Sequence, residues 1–175
     1  TNDNGCVISD SVIISEPNQI SISYSYNNVT TCQGNDGSID MSISGGTLPY
    51  NFIWSNGDTT EDLSNLTSGT YSLLITDDKG CSDSAIIIIN EPPSVNLTYS
   101  YMDPTCIGYS NGSIDLNITS GTAPFLFNWN NNDSTEDITN LSAGTYSVTV
   151  TDSNNCNALI SVPLANPSLP NLSYS

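Results

Sequence analysis

The sequence predicts an all-β protein made of tandem antiparallel β-sandwich repeats, each about 75 residues long. Three observations carry this prediction. The chain repeats itself at a fixed interval of 75 residues, apolar residues alternate with polar ones at period two, and no stretch shows the 3.6-residue apolar spacing of an ordinary helix.

Displaced by 75 positions, Gly37–Pro92 lies over Gly112–Pro167 without a gap, with 25 of 56 positions identical. Gly37-Ser38-Ile39-Asp40 recurs as Gly112-Ser113-Ile114-Asp115, Trp54 as Trp129, Thr60-Glu61-Asp62 as Thr135-Glu136-Asp137, and Gly69-Thr70-Tyr71-Ser72 as Gly144-Thr145-Tyr146-Ser147. Thr76-Asp77 recurs as Thr151-Asp152 and Cys81 as Cys156, while Cys32 matches Cys106 after a one-residue insertion in the second copy. Cys6 stands 75 before Cys81, Glu16-Pro17 stands 75 before Glu91-Pro92, and Tyr174-Ser175 stands 75 after Tyr99-Ser100. The expected organisation is a last strand of a preceding repeat over 1–16, complete repeats over 17–91 and 92–166, and a first strand of a following repeat over 167–175. The segment reads as an excerpt of a longer array. Its first residues, Thr1-Asn2-Asp3-Asn4-Gly5, lack the basic start and apolar stretch of a signal peptide.

Within a repeat the strands follow in order. The first alternates Ile20, Ile22, Tyr24, Tyr26, copied as Val95, Leu97, Tyr99, Tyr101, and the second alternates Ile39, Met41, Ile43, copied as Ile114, Leu116, Ile118. A Gly-Thr-x-Pro turn leads to Tyr50, Phe52, Trp54, copied as Phe125, Phe127, Trp129. A polar stretch precedes Leu63 and Leu66, after which Tyr71, Leu73, Ile75 and then Ala85, Ile87, Ile89 complete the set. Six or seven short strands with turn signals every 8–12 residues predict a sandwich of immunoglobulin type. Pro163 has no N–H for a ladder, which places the last strand at a sheet edge. The proline-stiffened joint Asn90-Glu91-Pro92-Pro93-Ser94 predicts a semi-rigid rod.

Composition excludes several functions. Lys+Arg number 1 against Asp+Glu 18, with no His and a formal net charge of −17. One lysine cannot release the counterions that nucleic acid binding requires, nor hold an anionic membrane. Without His there is no Ser-His-Asp or Cys-His arrangement, and phosphate substrates would lack a cationic clamp, so no enzyme is expected. The longest aliphatic run, Ala85–Ile89, is far short of the roughly 20 residues of a membrane-spanning helix.

Cys32 precedes the second strand and Cys81 opens the last; Cys106 and Cys156 repeat this. An even count per repeat, with no His and no CxxC, favours disulfides over metal. The expected bonds are Cys32–Cys81 and Cys106–Cys156, each closing about 50 residues, with Cys6 paired upstream. Free buried cysteines are the alternative. Disulfides imply an extracellular compartment.

The run Cys32-x-Gly34-Asn35-Asp36-Gly37-Ser38-Ile39, then Gly45-Gly46-Thr47-x-Pro49-Tyr50-x-Phe52-x-Trp54-Ser55-Asn56-Gly57, resembles the SprB repeat. So do Leu63-x-Asn65-Leu66-x-x-Gly69-Thr70-Tyr71 and Thr76-Asp77-x-x-Gly80-Cys81. The second copy departs at turn positions, with Asn132 for Gly57 and Asn155 for Gly80; Asn tolerates positive φ there. The resemblance implies a giant secreted adhesin of gliding Bacteroidota, exported by the type IX route and attached to the outer membrane through another region. Its implied partners are neighbouring repeats of the same chain, the gliding and secretion machinery through distant regions, and a substratum or surface polysaccharide at the tip. The same repeats also serve as stalks in other large secreted proteins, so a spacer or carbohydrate-binding module of a polysaccharide-degrading enzyme is the alternative.

Several side chains are candidates for sites. Trp54 and Trp129 fall on the inward alternation and are expected in the core rather than stacked on sugars. Tyr71 and Tyr146 read as tyrosine corners, and Tyr26 and Tyr101 as surface or junction contacts. Asp36, Asp40, Asp77, Asp78, Asp83 and Glu91 are the candidates for calcium, but no EF-hand-like loop is present and no cofactor is expected. Asp77 and Asp152 sit where a hairpin favours an Asx turn. Glu61-Asp62 and Glu136-Asp137 point to opposite strand faces and cannot flank one glycosidic bond. Asp58-Thr59-Thr60 and Asp133-Ser134-Thr135 resemble the O-glycosylation sequon of the phylum, as do Asp83-Ser84-Ala85 and Asp10-Ser11-Val12; Thr59 and Ser134 rank first, then Ser84 and Ser11.

Overall fold

The computed structural model describes residues 12, 16 and 18–167. Among these are twelve strands and no helix. The first repeat supplies β1 (Ser21–Asn27), β2 (Gly37–Ser44), β3 (Asn51–Trp54), β4 (Leu63–Leu66), β5 (Gly69–Thr76) and β6 (Ser82–Ile89). The second supplies β7 (Asn96–Met102), β8 (Gly112–Ser120), β9 (Leu126–Trp129), β10 (Ile138–Leu141), β11 (Gly144–Thr151) and β12 (Asn157–Leu164). The partial repeats expected at either end, including Cys6 and Ser11, lie almost wholly outside the described residues. Two compact units form: one takes in the chain up to Ser25 with 39–63 and 70–87, the other 26–38, 64–69 and the chain from Ile88 on.

Each repeat folds into two three-stranded sheets, ordered β1-β2-β4 and β3-β5-β6 in the first and β7-β8-β10 and β9-β11-β12 in the second. The pairings β7–β8, β8–β10, β9–β11 and β11–β12 are all antiparallel. The grouping of first, second and fourth strands against third, fifth and sixth is that of an immunoglobulin sandwich without its fourth strand. The strand that carries Pro163 is an edge, as its missing N–H requires, and Pro163 faces Thr145 in register.

The alternation read from the sequence describes the core well. Ile39, Met41, Trp54, Leu63, Leu66, Tyr71, Leu73, Ile75, Ile87 and Ile89 are buried in the first repeat. Val95, Ile114, Leu116, Trp129, Ile138, Leu141, Val148, Val150, Val162 and Leu164 form the core of the second. The first strands depart from the expected pattern. Ile20 is buried and Ile22 half-buried, but Tyr24 and Tyr26 are 45% and 47% exposed. Each lies on a sheet edge, where the far half of the strand has a neighbour on one side.

Strand direction decides which loops share an end of the sandwich. Gly112, at the start of β8, lies so close to Leu141 O and Leu164 Cδ1 that an added Cβ would stand 3.0 Å and 3.1 Å from them. The ends of β10 and β12 therefore meet the start of β8. β10 pairs antiparallel with β8, β9 and β12 both pair antiparallel with β11 and so run parallel to each other, and the meeting of the end of β12 with the start of β8 sets both against β8. The two four-residue strands β9 and β10 share one descent, the first half in one sheet and the second half in the other.

Candidate functional site

Polar side chains close the loops at several places per sandwich, most tightly in the β5–β6 (β11–β12) hairpin and in the loop between the first two strands. In the hairpin of the first repeat, Asp77 Oδ1 accepts N–H bonds from Lys79 and Cys81, both 2.9 Å, and Oδ2 accepts one from Thr47, also 2.9 Å. Asp152 does the same for Asn154, Cys156 and Thr122, each at 2.9 Å. Burial alone would raise both carboxyl pKa values. The N–H groups of Cys81, Thr47, Lys79 and Gly80 outweigh it for Asp77, and those of Thr122, Cys156 and Asn154 for Asp152, holding both below the ordinary 3.8. The Asx turn is legible in the sequence. The reach to Thr47 and Thr122, 30 residues away, is not.

The first loop is fastened to the end of the last strand. Asn28 Oδ1 accepts from Asn90 N–H at 2.8 Å, and Val29 N–H donates to Asn90 O at 3.0 Å. In the second repeat Asp103 Oδ1 accepts from Ala165 N–H at 2.7 Å. Asp36 accepts from the Thr30 hydroxyl and backbone, which holds its carboxyl below the usual range, and Asn111 accepts from Thr105 N–H in the matching place. A neutral amide thus does in one copy what a carboxylate does in the other, which marks a loop-closing role.

This geometry corrects the disulfide expectation. The first-loop cysteine lies at the end of the sandwich where β6 or β12 finishes, and the hairpin cysteine lies where that strand begins. Eight residues of strand separate the two ends, about 26 Å at ~3.3 Å per residue. A disulfide spans Cα atoms only ~4.4–6.8 Å apart, so neither Cys32–Cys81 nor Cys106–Cys156 forms. Instead Cys32 is bonded to Cys156, with Cα atoms 5.0 Å apart and 124 residues between them in sequence. Both lie in the same compact unit. Cys32 N–H also donates to Asn154 O at 3.1 Å, and the pair packs against the core of the second sandwich. Cys81 and Cys106 are free and exposed.

Several of the remaining candidates bond the fold itself. Trp54 and Trp129 are each 2% exposed, and their indole N–H groups donate to Thr60 O and Thr135 O at 2.9 Å. Tyr146 donates its hydroxyl to Ser142 O at 3.1 Å, the bond of a tyrosine corner. Asp62 accepts from Met41 N–H at 2.8 Å and Asp137 from Leu116 N–H at 2.9 Å, each tying the start of the fourth strand of its repeat to the central strand beside it. Asp58 Oδ1 accepts from Thr59 N–H, Thr60 N–H and the Thr60 hydroxyl, and Asp133 repeats this with Ser134 and Thr135. Thr59, Ser134 and Ser84 are exposed. Of the calcium candidates, Asp36 lies in the first loop, where it bonds Thr30, and Asp77 and Asp78 lie in the hairpin. Among the described residues no group of three or more His, Cys, Asp or Glu could hold a metal, and no helix is long and apolar enough to cross a membrane.

A solved structure titled "Sidekick-1 immunoglobulin domains 1-5" aligns with 87% of this chain at 13% identity and a TM-score of 0.37, and the chain spans 40% of its length. No curated protein matches. The family model of the SprB repeat matches residues 23–59 and again 98–134. Each match begins within the first strand and runs through the first loop, β2 or β8, the core tryptophan and the Asp58 or Asp133 turn. The SprB repeat thus matches twice in tandem, each time over the first three strands of one six-stranded sandwich.

Proposed function

We propose that this segment is part of the stalk of a very large secreted adhesin of the gliding-motility kind. It lies at the cell surface, attached to the outer membrane through another region, and holds an adhesive tip away from the cell. It is a mechanical module rather than a catalyst. The observation that carries this reading is the Cys32–Cys156 bond. It ties the first loop of one repeat to the hairpin of the next, and so takes tension past the folded strands between them. The polar side chains retained in both copies support it, because they are spent on closing loops.

Force spectroscopy on the chain, pulled from its ends, tests the proposal. With the bond intact, the 124-residue span from Cys32 to Cys156 cannot extend. Reduction should add roughly 400 Å of contour length, at about 3.3–3.6 Å per residue. An equal gain with and without reductant would count against a tension-bearing role. Glycan-array binding that is lost in Tyr101→Ala would replace the stalk with a carbohydrate-binding module.

A further inference from the structure

Cys81 and Cys106, the free cysteines among the described residues, are the two unmatched halves of the bond that the structure contains. Cys81 sits in a hairpin built like that of Cys156. In each, the cysteine N–H and the residue two after the aspartate bind one carboxylate oxygen, and Thr47 or Thr122 binds the other. Cys106 sits in a first loop fastened as that of Cys32 is, through Asp103 to Ala165 and Asn111 to Thr105. Both thiols are exposed, and neither can reach a cysteine of its own sandwich across about 26 Å of strand.

We infer that Cys106 bonds the hairpin cysteine of a following SprB repeat and Cys81 the first-loop cysteine of a preceding one, so that every adjoining pair of repeats is stapled as Cys32 staples to Cys156. The partner is a copy of this same repeat. The inference stands on the observed bond and the 75-residue period, independently of the adhesin reading. Two thiols give up two protons and two electrons to form each S–S bond. The electrons pass to a disulfide-form thiol oxidoreductase or to glutathione disulfide. One thiolate attacks that disulfide and releases a thiol, and the second thiolate displaces the other half from the mixed disulfide.

The test uses the full chain with a second copy of residues 17–166 inserted after Asn166. The inserted copy then follows the first through an Asn166-Pro17 joint in the register of Glu91-Pro92. In this chain Cys106 of the first copy and Cys81 of the second stand 125 residues apart, against 124 for the bonded pair. Cys6→Ser, Cys81→Ser in the first copy and Cys106→Ser in the second leave that pair as the sole unassigned thiols. After oxidation with glutathione disulfide and alkylation, peptide mapping without reduction should find Cys106 linked to Cys81 and neither alkylated. In the original chain both should be alkylated. The Cys32–Cys156 peptide reports on folding in the same map. If that bond forms in both copies while Cys106 and Cys81 stay alkylated, the inference is overturned. If Cys32–Cys156 is absent or scrambled with the other pair, its premise is overturned too.

Discussion

The two sandwiches share a skeleton and differ on their outer faces. Residues that close a loop onto a strand are kept or replaced by a functional equivalent: Asp77 and Asp152, Asp62 and Asp137, Trp54 and Trp129, Asp36 and Asn111. On the outside of the second sheet the first repeat shows Ile53, Leu74, Ile86 and Ile88, all exposed. The second has Asn128, Thr149, Ser161 and Pro163 in those places. Backbone N–H groups in loops must find partners or lose a hydrogen bond's worth of stability. A solvated strand face carries no such obligation. Repetition therefore marks the joints of the fold, and variation marks its surface.

The largest expected difference between the copies is in their hairpin cysteines. By the chain-entropy estimate a loop of this length is worth up to about 5 kcal/mol. Cys156→Ser should therefore lower the denaturant midpoint strongly. Cys81→Ser removes an exposed free thiol and should change stability by less than ~0.5 kcal/mol. Equal effects from the two substitutions would mean that the bond contributes nothing in solution.

The hairpin aspartates should behave alike, so acid tests the shared part of the comparison. Each carboxyl is held below 3.8 in the folded chain. Their stabilisation is complete above that value, falls as the unfolded chain begins to take up protons, and is gone once pH drops below the depressed native value. Asp77→Ala and Asp152→Ala should each destabilise at neutral pH and flatten the acid limb of a stability–pH profile between about pH 2 and 5. An unchanged acid limb in the double variant would show that other carboxylates govern acid unfolding.

Much of this is legible in the sequence, and the reason one part is not is instructive. Period-two alternation locates the strands because each sheet has one buried face. The Asx turns and core tryptophans come from local chemistry. The expected disulfide pairing fails because cysteine positions name strand ends without saying which ends meet. In a simple meander each strand reverses the last, which would bring Cys32 and Cys81 to the same end. Here β3 and β4 share a single descent, in two sheets, and that shifts the parity by one strand. The signal is the pair Asn28 and Asn90, repeated as Asp103 and Ala165. Side-chain to main-chain bonds, however, leave no mark in residue type at the main-chain end. The tyrosines of β1 and β7 depart from the expected pattern because alternation does not reveal where an edge strand leaves its cover.

A smaller difference separates the turns. Gly57 and Gly80 have φ of 88° and 81°, and Asn132 and Asn155 occupy the same turns at 67° and 60°. An added Cβ at either glycine meets nothing within 4 Å, so a substitution there has only its backbone cost. Gly57→Asn should be close to neutral, whereas Gly57→Ala should cost about 1 kcal/mol because only Gly and Asn enter the left-handed region readily. Chemical denaturation of both variants checks this. Equal costs for Asn and Ala would mean that the Asn side chain gives no local support.

The smallest expected effect concerns the faces that differ most in appearance. Ile86 and Ile88 are 67% and 56% exposed, and the residue matching Ile86 in the second repeat is Ser161. Burial, not hydrophobicity, sets what an apolar side chain contributes. An isoleucine already two-thirds in water has little transfer free energy left to lose, and its β-branched stem adds only a modest strand propensity. Ile86→Ser should therefore shift the stability of the chain by no more than ~0.5 kcal/mol, far less than Ile87→Ser one position on, where a hydroxyl would replace a side chain that is 2% exposed. Denaturant unfolding of the two variants side by side measures the contrast. A loss above about 1 kcal/mol for Ile86→Ser would mean that this face is covered in solution, and that the outer surfaces of the two repeats differ in what they contact as well as in composition.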